Sequence, residues 1–276
     1  MSVEPPVAVR NLTRYSEMVE VEALQAQIWR RPRPYTPRML LAIHQTGGQV
    51  LGAFVGQELV GYAVALFATD PDGPYLFSQA TGVRRDHRNR GLGRRLKMAQ
   101  REHALSLGLA QMRWAFDPLL ARTAHFHCTA LGAVGRAYEA DYFDATDGRE
   151  GALLASDRLL ASWDLTSRRT EARLAGERPT PPEEGTWVTR VKVENGLPGL
   201  AGTVLDRADD RLLVEIPLDL GTYRDSPETL AAWRGGVGRL LERYVNSGGY
   251  AVTECFTAPA GDGRRSFYLL ERRPAP

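Results

Sequence analysis

Lysine and cysteine are nearly absent from these 276 residues. Lys97 and Lys192 are the lysines, and every other basic residue is arginine. That usage reads as the coding bias of a GC-rich genome, and it lowers the information carried by any single arginine. Cys128 and Cys255 are too few for a disulfide framework, so a reducing cytoplasm is the expected compartment. Long apolar runs are missing too: the longest, around residues 59–68, is far short of the roughly 20 residues that cross a bilayer. The first ten residues carry Glu4 and two prolines instead of a basic and then apolar stretch, so no secretory signal is read. A net charge of +2 gives no footing for a general nucleic-acid or membrane-surface role. Repeats and low-complexity tracts are absent. What is present is an ordinary globular composition, long enough for one large domain or two small ones.

Periodicity and turn chemistry divide the chain. Residues 7–14 read as a strand, and Ser16 is placed to cap a helix striped by Met18, Val21, Leu24, Ile28 and Trp29. Thr36-Pro37 is an N-cap followed by proline at the first helical position, opening a helix over residues 38–44. Strands follow over 49–55, 58–69 and 75–83, the first two joined at Gly56-Gln57. A helix over 94–107 is closed by Gly108, with Leu92, Leu96, Ala99, His103 and Leu107 on one face. Next come a strand over 111–116, a helix over 119–131, and strands over 133–143 and 156–165. Residues 168–185 are charged, proline-bearing and aperiodic, and read as a linker. Beyond them lie strands over 187–193, 212–217, 251–257 and 266–271, and a helix that starts at Ser226 and stops at Gly248-Gly249. The expected domains are therefore 1–167 and 186–276, the second docking on the first or on a partner subunit, for which a homodimer is the simplest form.

The most informative stretch is Arg88-Asn89-Arg90-Gly91-Leu92-Gly93, between a strand and a helix. Such a turn aims free backbone N–H groups and the positive helix end at one spot. Glycines allow close backbone approach, and Arg84, Arg85, Arg88, Arg90, Arg94 and Arg95 surround it with charge-assisted donors. No Gly-Lys-Ser/Thr follows, which disfavours a P-loop, and an early βαβ unit for a dinucleotide fold is lacking.

Arg88-x-x-Gly91-x-Gly93, in this order of elements, resembles the Q/R-x-x-G-x-G/A signature of the GNAT superfamily of acyl-CoA-dependent N-acyltransferases. Residues 121–131 followed by Gly132-Ala133 match a second region of that family. The resemblance covers about the first 60% of the chain and implies an α+β fold, a central, mostly antiparallel mixed sheet flanked by helices, here with a small C-terminal α+β unit. A narrower likeness, to a C-terminally extended bacterial subgroup associated with amino-acid N-succinylation or N-acetylation, rests on Leu96-Lys97-Met98-Ala99-Gln100-Arg101, Trp114-Ala115-Phe116-Asp117-Pro118-Leu119 and Ser156-Asp157-Arg158. The chain departs from that subgroup at Thr123 and His127, where asparagines are usual.

The resemblance implies acetyl-CoA or succinyl-CoA as co-substrate, a small-molecule amine as acceptor, and no metal. Arg88, Asn89, Arg90, Gly91, Leu92, Gly93 and Arg94 would receive the pyrophosphate, and Gly82 and Val83 the thioester end. Ser78-Gln79-Ala80-Thr81 offers no carboxylate where many members place a glutamate. Asp117 is then either a base or a turn aspartate before Pro118, and His127 either a base or a satisfied helix histidine. Cys128 stands where many members have a tyrosine that protonates the thiolate; it is either that acid or a buried structural cysteine. Tyr138 and Tyr142 are alternatives, on one strand face by parity. His125, His127 and Cys128 cannot converge on zinc at helical spacing. Arg31, Arg33 and Tyr35 sit in the loop that often shapes acceptor sites, where a guanidinium could hold a carboxylate. The rival expectation is a non-catalytic acyl-CoA-binding module acting through a partner.

Overall fold

The computed structural model describes residues 6–29, 35–143, 156–261 and 263–273. The chain gathers into two compact units, the first ending at Trp114 and the second starting at Ala115.

In the first unit, strands β1 (Val7–Asn11), β2 (Gln49–Val55), β3 (Glu58–Asp70) and β4 (Gly73–Val83) lie side by side, each antiparallel to the next. Strand β5 (Gln111–Phe116) runs parallel to β4. Helices α1 (Tyr15–Trp29) and α2 (Pro37–Gln45) cover one face through Met18, Val21, Leu24, Leu40 and Ile43, packed on Val50, Tyr62 and Val64. Helix α3 (Leu92–Ser106) covers the other, Leu92 and Leu96 packing on Leu51, Ala53, Val60 and Ala63. Covered on both faces, β2 is buried along almost its whole length, which is why it reads as an apolar run without alternation. Local signals set the helix starts. The Thr36 hydroxyl accepts the Met39 N–H at 3.3 Å, with Pro37 in the first turn. At α1 the expected cap Ser16 yields to Glu17, whose carboxylate accepts the N–H groups of Thr13 (2.9 Å) and Arg14 (3.0 Å).

Two irregularities in β4 matter for function. Ala65 pairs with Ser78 and Val64 with Ala80, so Gln79 is an extra residue, a bulge. The described pairing with β5 stops at Leu76–Met112 and Phe77–Arg113. Beyond Phe77, among the described residues, β4 has no ladder partner on its β5 side.

In the second unit the strand order is β7 (Arg158–Asp164), β6 (Val134–Glu139), β12 (Tyr250–Ala260), β13 (Gly263–Arg272), β11 (Arg211–Ile216), β8 (Thr186–Trp187), antiparallel except for β11 with β8. Strands β9 (Thr189–Glu194) and β10 (Leu197–Thr203) form a separate ribbon, and β10 was not foreseen. Helix α6 (Pro227–Leu241) buries Leu230, Trp233, Val237 and Leu240. Three sequence expectations are corrected here. The helix expected over 119–131 is α4 (Ala121–Ala124) running into a wide π-turn, His125–Ala130. The strand expected to reach residue 143 ends at Glu139, and the chain turns through Asp141 at φ 50°, so Tyr142 is off the strand and the parity argument pairing it with Tyr138 fails. The 168–185 stretch opens with helix α5 (Arg168–Leu174), capped by Ser167 on the Thr170 N–H. Arg169 and Arg173 tie α5 down, both donating to the buried Glu254 carboxylate, at 2.6 and 2.8 Å.

Candidate active site

The turn before α3 is built by backbone hand. A single 3₁₀ turn at Arg85–His87 leads to Asn89 at φ 64° and Gly91 at φ 76°, both left-handed. Asparagine and glycine are the residues that tolerate this region most readily. No side chain caps α3, and its first helical bond is Arg95 N–H to the Gly91 carbonyl at 3.1 Å. The N–H groups of Leu92 and Gly93 thus reach the helix start without an acceptor among the described residues. A Cβ added at Gly91 or Gly93 would meet nothing within 4 Å, so the backbone there faces open space. Leu92 anchors the turn from behind, 2% exposed in the α3 core. This is the geometry of an anion cradle.

The arginines divide. Arg84 is committed to Glu58 and to Asp86 (2.8 Å), and Arg95 donates to the Val7 carbonyl (3.2 Å). Arg88 donates from Nε to the Val83 carbonyl at 2.9 Å and, with Arg85, Gln27 and Ile28, lines a pocket of ≈ 370 Å³. Gly82 pairs with Tyr62, whose ring would lie 2.8 Å from a Cβ at position 82. An uncapped helix start, a doubly left-handed turn and the open β4 edge fit a pyrophosphate followed by an amide-bearing arm.

Residues 15–132 match the sequence model described as Acetyltransferase (GNAT) family. The chain carries a GNAT acetyltransferase domain. A domain of this family supports acyl-CoA-dependent N-acyltransfer. Similar solved structures include the ribosomal-protein-S18-alanine N-acetyltransferase of Escherichia coli (14% identity, 59% of this chain and 96% of that one, TM-score 0.47). An IAA acetyltransferase from Bacillus cereus matches at 15% identity over 58% of this chain and 99% of its own, TM-score 0.45. A GNAT family acetyltransferase from Elizabethkingia anophelis with acetyl-CoA bound matches at 12% identity, 57% and 97%, TM-score 0.43. No curated protein sequence matches the chain significantly.

The side chains read as catalytic have unequal surroundings. Asp117 accepts both Arg234 N–H groups, at 3.2 and 2.8 Å, and the Leu119 N–H at 2.9 Å, the partners of an ion-paired turn residue. With Arg234 6% and Asp117 16% exposed, losing one partner strands the other's charge. Replacing Arg234 by methionine is expected to lower stability by about 3 kcal/mol, read from the urea midpoint. An unmoved midpoint would mean the pair does not hold the fold and return Asp117 to the list of bases. Cys128 is fully buried, and burial, aided by the Glu254 charge, pushes its thiol up to about 12, the environment of a structural cysteine. His127 is 8% exposed, its ring 5.0 Å from Phe116 and 5.2 Å from Phe126. Tyr138 donates its hydroxyl to Asp157 at 2.9 Å, and burial together with that carboxylate pushes the phenol up, so it keeps its proton at neutral pH. Position 238 must be glycine for this, since a Cβ there would collide with the Tyr138 hydroxyl. Arg31 and Arg33 lie outside the described residues. Tyr35 is buried, its backbone held by Gln25 (3.0 and 3.3 Å), and Gln79 is the hydrogen-bond partner of its hydroxyl.

Two features escaped sequence reasoning. Lys97, left off the apolar face read for this helix, is 3% exposed; it donates to Ser78 Oγ at 2.6 Å and stacks 4.1 Å from the Trp114 ring centroid. Ser78 in turn donates to Gln100 Oε1 at 2.8 Å. The helical face that α3 buries runs through Leu92, Leu96, Lys97, Gln100 and Ala104, and Leu107, expected on it, is 43% exposed. Arg158, half-buried at the start of β7 with its guanidinium 4.9 Å from the Phe143 ring centroid, is the second. Among the described residues no helix is long and apolar enough to cross a membrane, and no group of three or more His, Cys, Asp or Glu side chains is placed to hold a metal ion.

Proposed function

We propose that this GNAT enzyme transfers an acetyl or succinyl group from its CoA thioester to the amine of a small molecule, with an amino acid as the acceptor class. The observation that carries the donor half is the uncapped, doubly left-handed turn opening α3. Arg88 to Arg94 would take the pyrophosphate on backbone N–H groups, and the Gly82–Val83 stretch of β4 would line the thioester end. The co-substrate supplies an activated carbonyl and a thiolate leaving group. The protein must orient the amine, keep water away and return a proton to sulfur. Cys128, Tyr138 and His127, at 0%, 5% and 8% exposed, are all closed in by core, so burial does not rank them as proton donors. We assign residues 1–167 to the acyltransferase part and 186–276 to the extension. Both cysteines are free thiols, in keeping with a cytoplasmic setting.

The test is thiol release from acetyl-CoA and succinyl-CoA against a panel of amino acids, their amides and simple amines. Turnover is expected with amino acids at rates above those with simple amines. Donor binding without thiol release for any acceptor would instead support the binding-module expectation.

A further inference from the structure

The pocket of ≈ 370 Å³ between the end of α1 and the turn before α3 is lined by Gln27, Ile28, Arg85 and Arg88. All four residues belong to the unit that ends at Trp114, as do Gly82, Val83 and the head of α3. Two contacts set the pocket against the last residues of β4. Arg88 is held there by the bond from its Nε to the Val83 carbonyl at 2.9 Å, and Ile28 Cδ1 lies 3.1 Å from where a Cβ at Gly82 would stand. The lining holds two guanidinium groups, one amide and one aliphatic side chain, with no carboxylate among the described residues. Asp86, the acid next in sequence, is held through both oxygens by Arg84, at 2.8 and 3.1 Å. The Arg85 side chain is exposed and has no hydrogen-bond or ion-pair partner among the described residues. The result is a cationic recess without a counter-ion of its own. Its volume is at the low end of the roughly 300–1,000 Å³ of small-molecule sites.

We propose that this pocket takes a carboxylate brought by one of the reactants, with Arg85 as the carboxylate-binding residue. The carboxylate is that of an amino-acid acceptor or the distal one of a succinyl donor. The proposal rests on the acyltransfer reading above, in which Gly82–Val83 lines the thioester end. A pocket in contact with that stretch borders whatever the thioester carries or meets. The phosphates of CoA have the Leu92 and Gly93 N–H groups at the head of α3, so the anion left for the pocket is a reactant's own. A guanidinium fork matches a planar carboxylate with two parallel hydrogen bonds. Arg88 spends its Nε on Val83, which leaves Arg85 the fork with all its donors to offer.

Full-length parent, Arg85→Gln and Arg85→Lys are compared by thiol release with acetyl-CoA on amino acids and on the corresponding amides, and with succinyl-CoA on the amides. An exposed arginine without partners can be replaced without unfolding the chain, and thermal unfolding checks this. An acceptor carboxylate predicts that the kcat/KM preference for amino acid over amide falls by about tenfold to a hundredfold in Arg85→Gln. A donor carboxylate predicts the same fall in the preference for succinyl-CoA over acetyl-CoA. Lysine, which keeps charge but not the fork, should recover part of either loss. Preferences that do not move, or a parent that has neither, overturn the assignment and leave acyltransfer standing. If acetyl-CoA also binds Arg85→Gln more weakly by titration calorimetry while the preferences hold, the pocket serves the phosphates of CoA instead. A parent that releases no thiol with any pairing overturns both readings.

Discussion

A Gly93→Val variant is expected to fold as well as the parent and to bind acetyl-CoA at least about a hundredfold more weakly. Gly93 is the second residue of α3 and is not among the positive-φ glycines, and a Cβ there meets nothing within 4 Å. Valine is no worse than glycine inside a helix, so stability should hold or rise slightly. The branched side chain would instead fill the space over the Leu92 and Gly93 N–H groups. Hydrogen bonds to a charged group contribute about 1.5–3 kcal/mol each, so losing two exceeds the 2.7 kcal/mol of a hundredfold change. Titration calorimetry reads the affinity and thermal unfolding the fold. Gly91 is a poorer probe, because at φ 76° a β-branched residue strains the backbone whether or not a ligand binds there. Unchanged affinity in Gly93→Val would remove the pyrophosphate from this turn.

Lys97→Met should stabilise the protein at neutral pH and flatten its response to alkali. Burial pushes the Lys97 ammonium from 10.5 down to about 7. Between those values the unfolded chain binds a proton that the folded chain does not, so the parent's stability rises with pH across that window and is level below it. At 1.36 kcal/mol per pH unit the window corresponds to about 5 kcal/mol. The Trp114 face and the bond to Ser78 offset part of this, by about 2 kcal/mol. Methionine fills the same space without a charge, and a net gain of about 3 kcal/mol at pH 7 is expected. Urea unfolding at pH 7, 8.5 and 10 for both proteins checks it. Parallel curves at all three values would show that Lys97 is not the group responsible.

What was legible in the sequence was whatever short-range chemistry decides. Thr36-Pro37 opens α2 as its residues dictate, Gly108 closes α3 at φ 73°, and the order of elements through β7 follows from turns and periodicity. The turn at Arg88–Gly93 was legible as a shape, since glycine and asparagine are what left-handed backbone needs. Insertions were not. The bulge at Gln79 reverses side-chain parity, so Ser78 meets α3 residues while Ala80 packs with the α1 and α2 core, although strict alternation puts them on one face. The π-turn at His125–Ala130 widens the helix in the same hidden way, and it sends His125 Nδ1 to the Cys255 carbonyl, 2.8 Å away. Lys97 was left off the buried face because charge argues against burial, which the aromatic ring and hydroxyl across from it make tolerable. The Asp117–Arg234 pair carried no local signal, since its members are 117 residues apart.

The unfinished edge of β4 has a thermodynamic side. A strand bonded to β3 along one border and, among the described residues, open along the other beyond Phe77 is a sheet with a place left over. On the assignment made here, the amide-bearing arm of the co-substrate takes that place as a temporary extra strand. The first unit would then be held together partly by what it consumes. At donor concentrations a hundred times the dissociation constant, mass action alone adds about 2.7 kcal/mol to the folded state. Starved of acyl-CoA, the same chain would be both idle and easier to unfold.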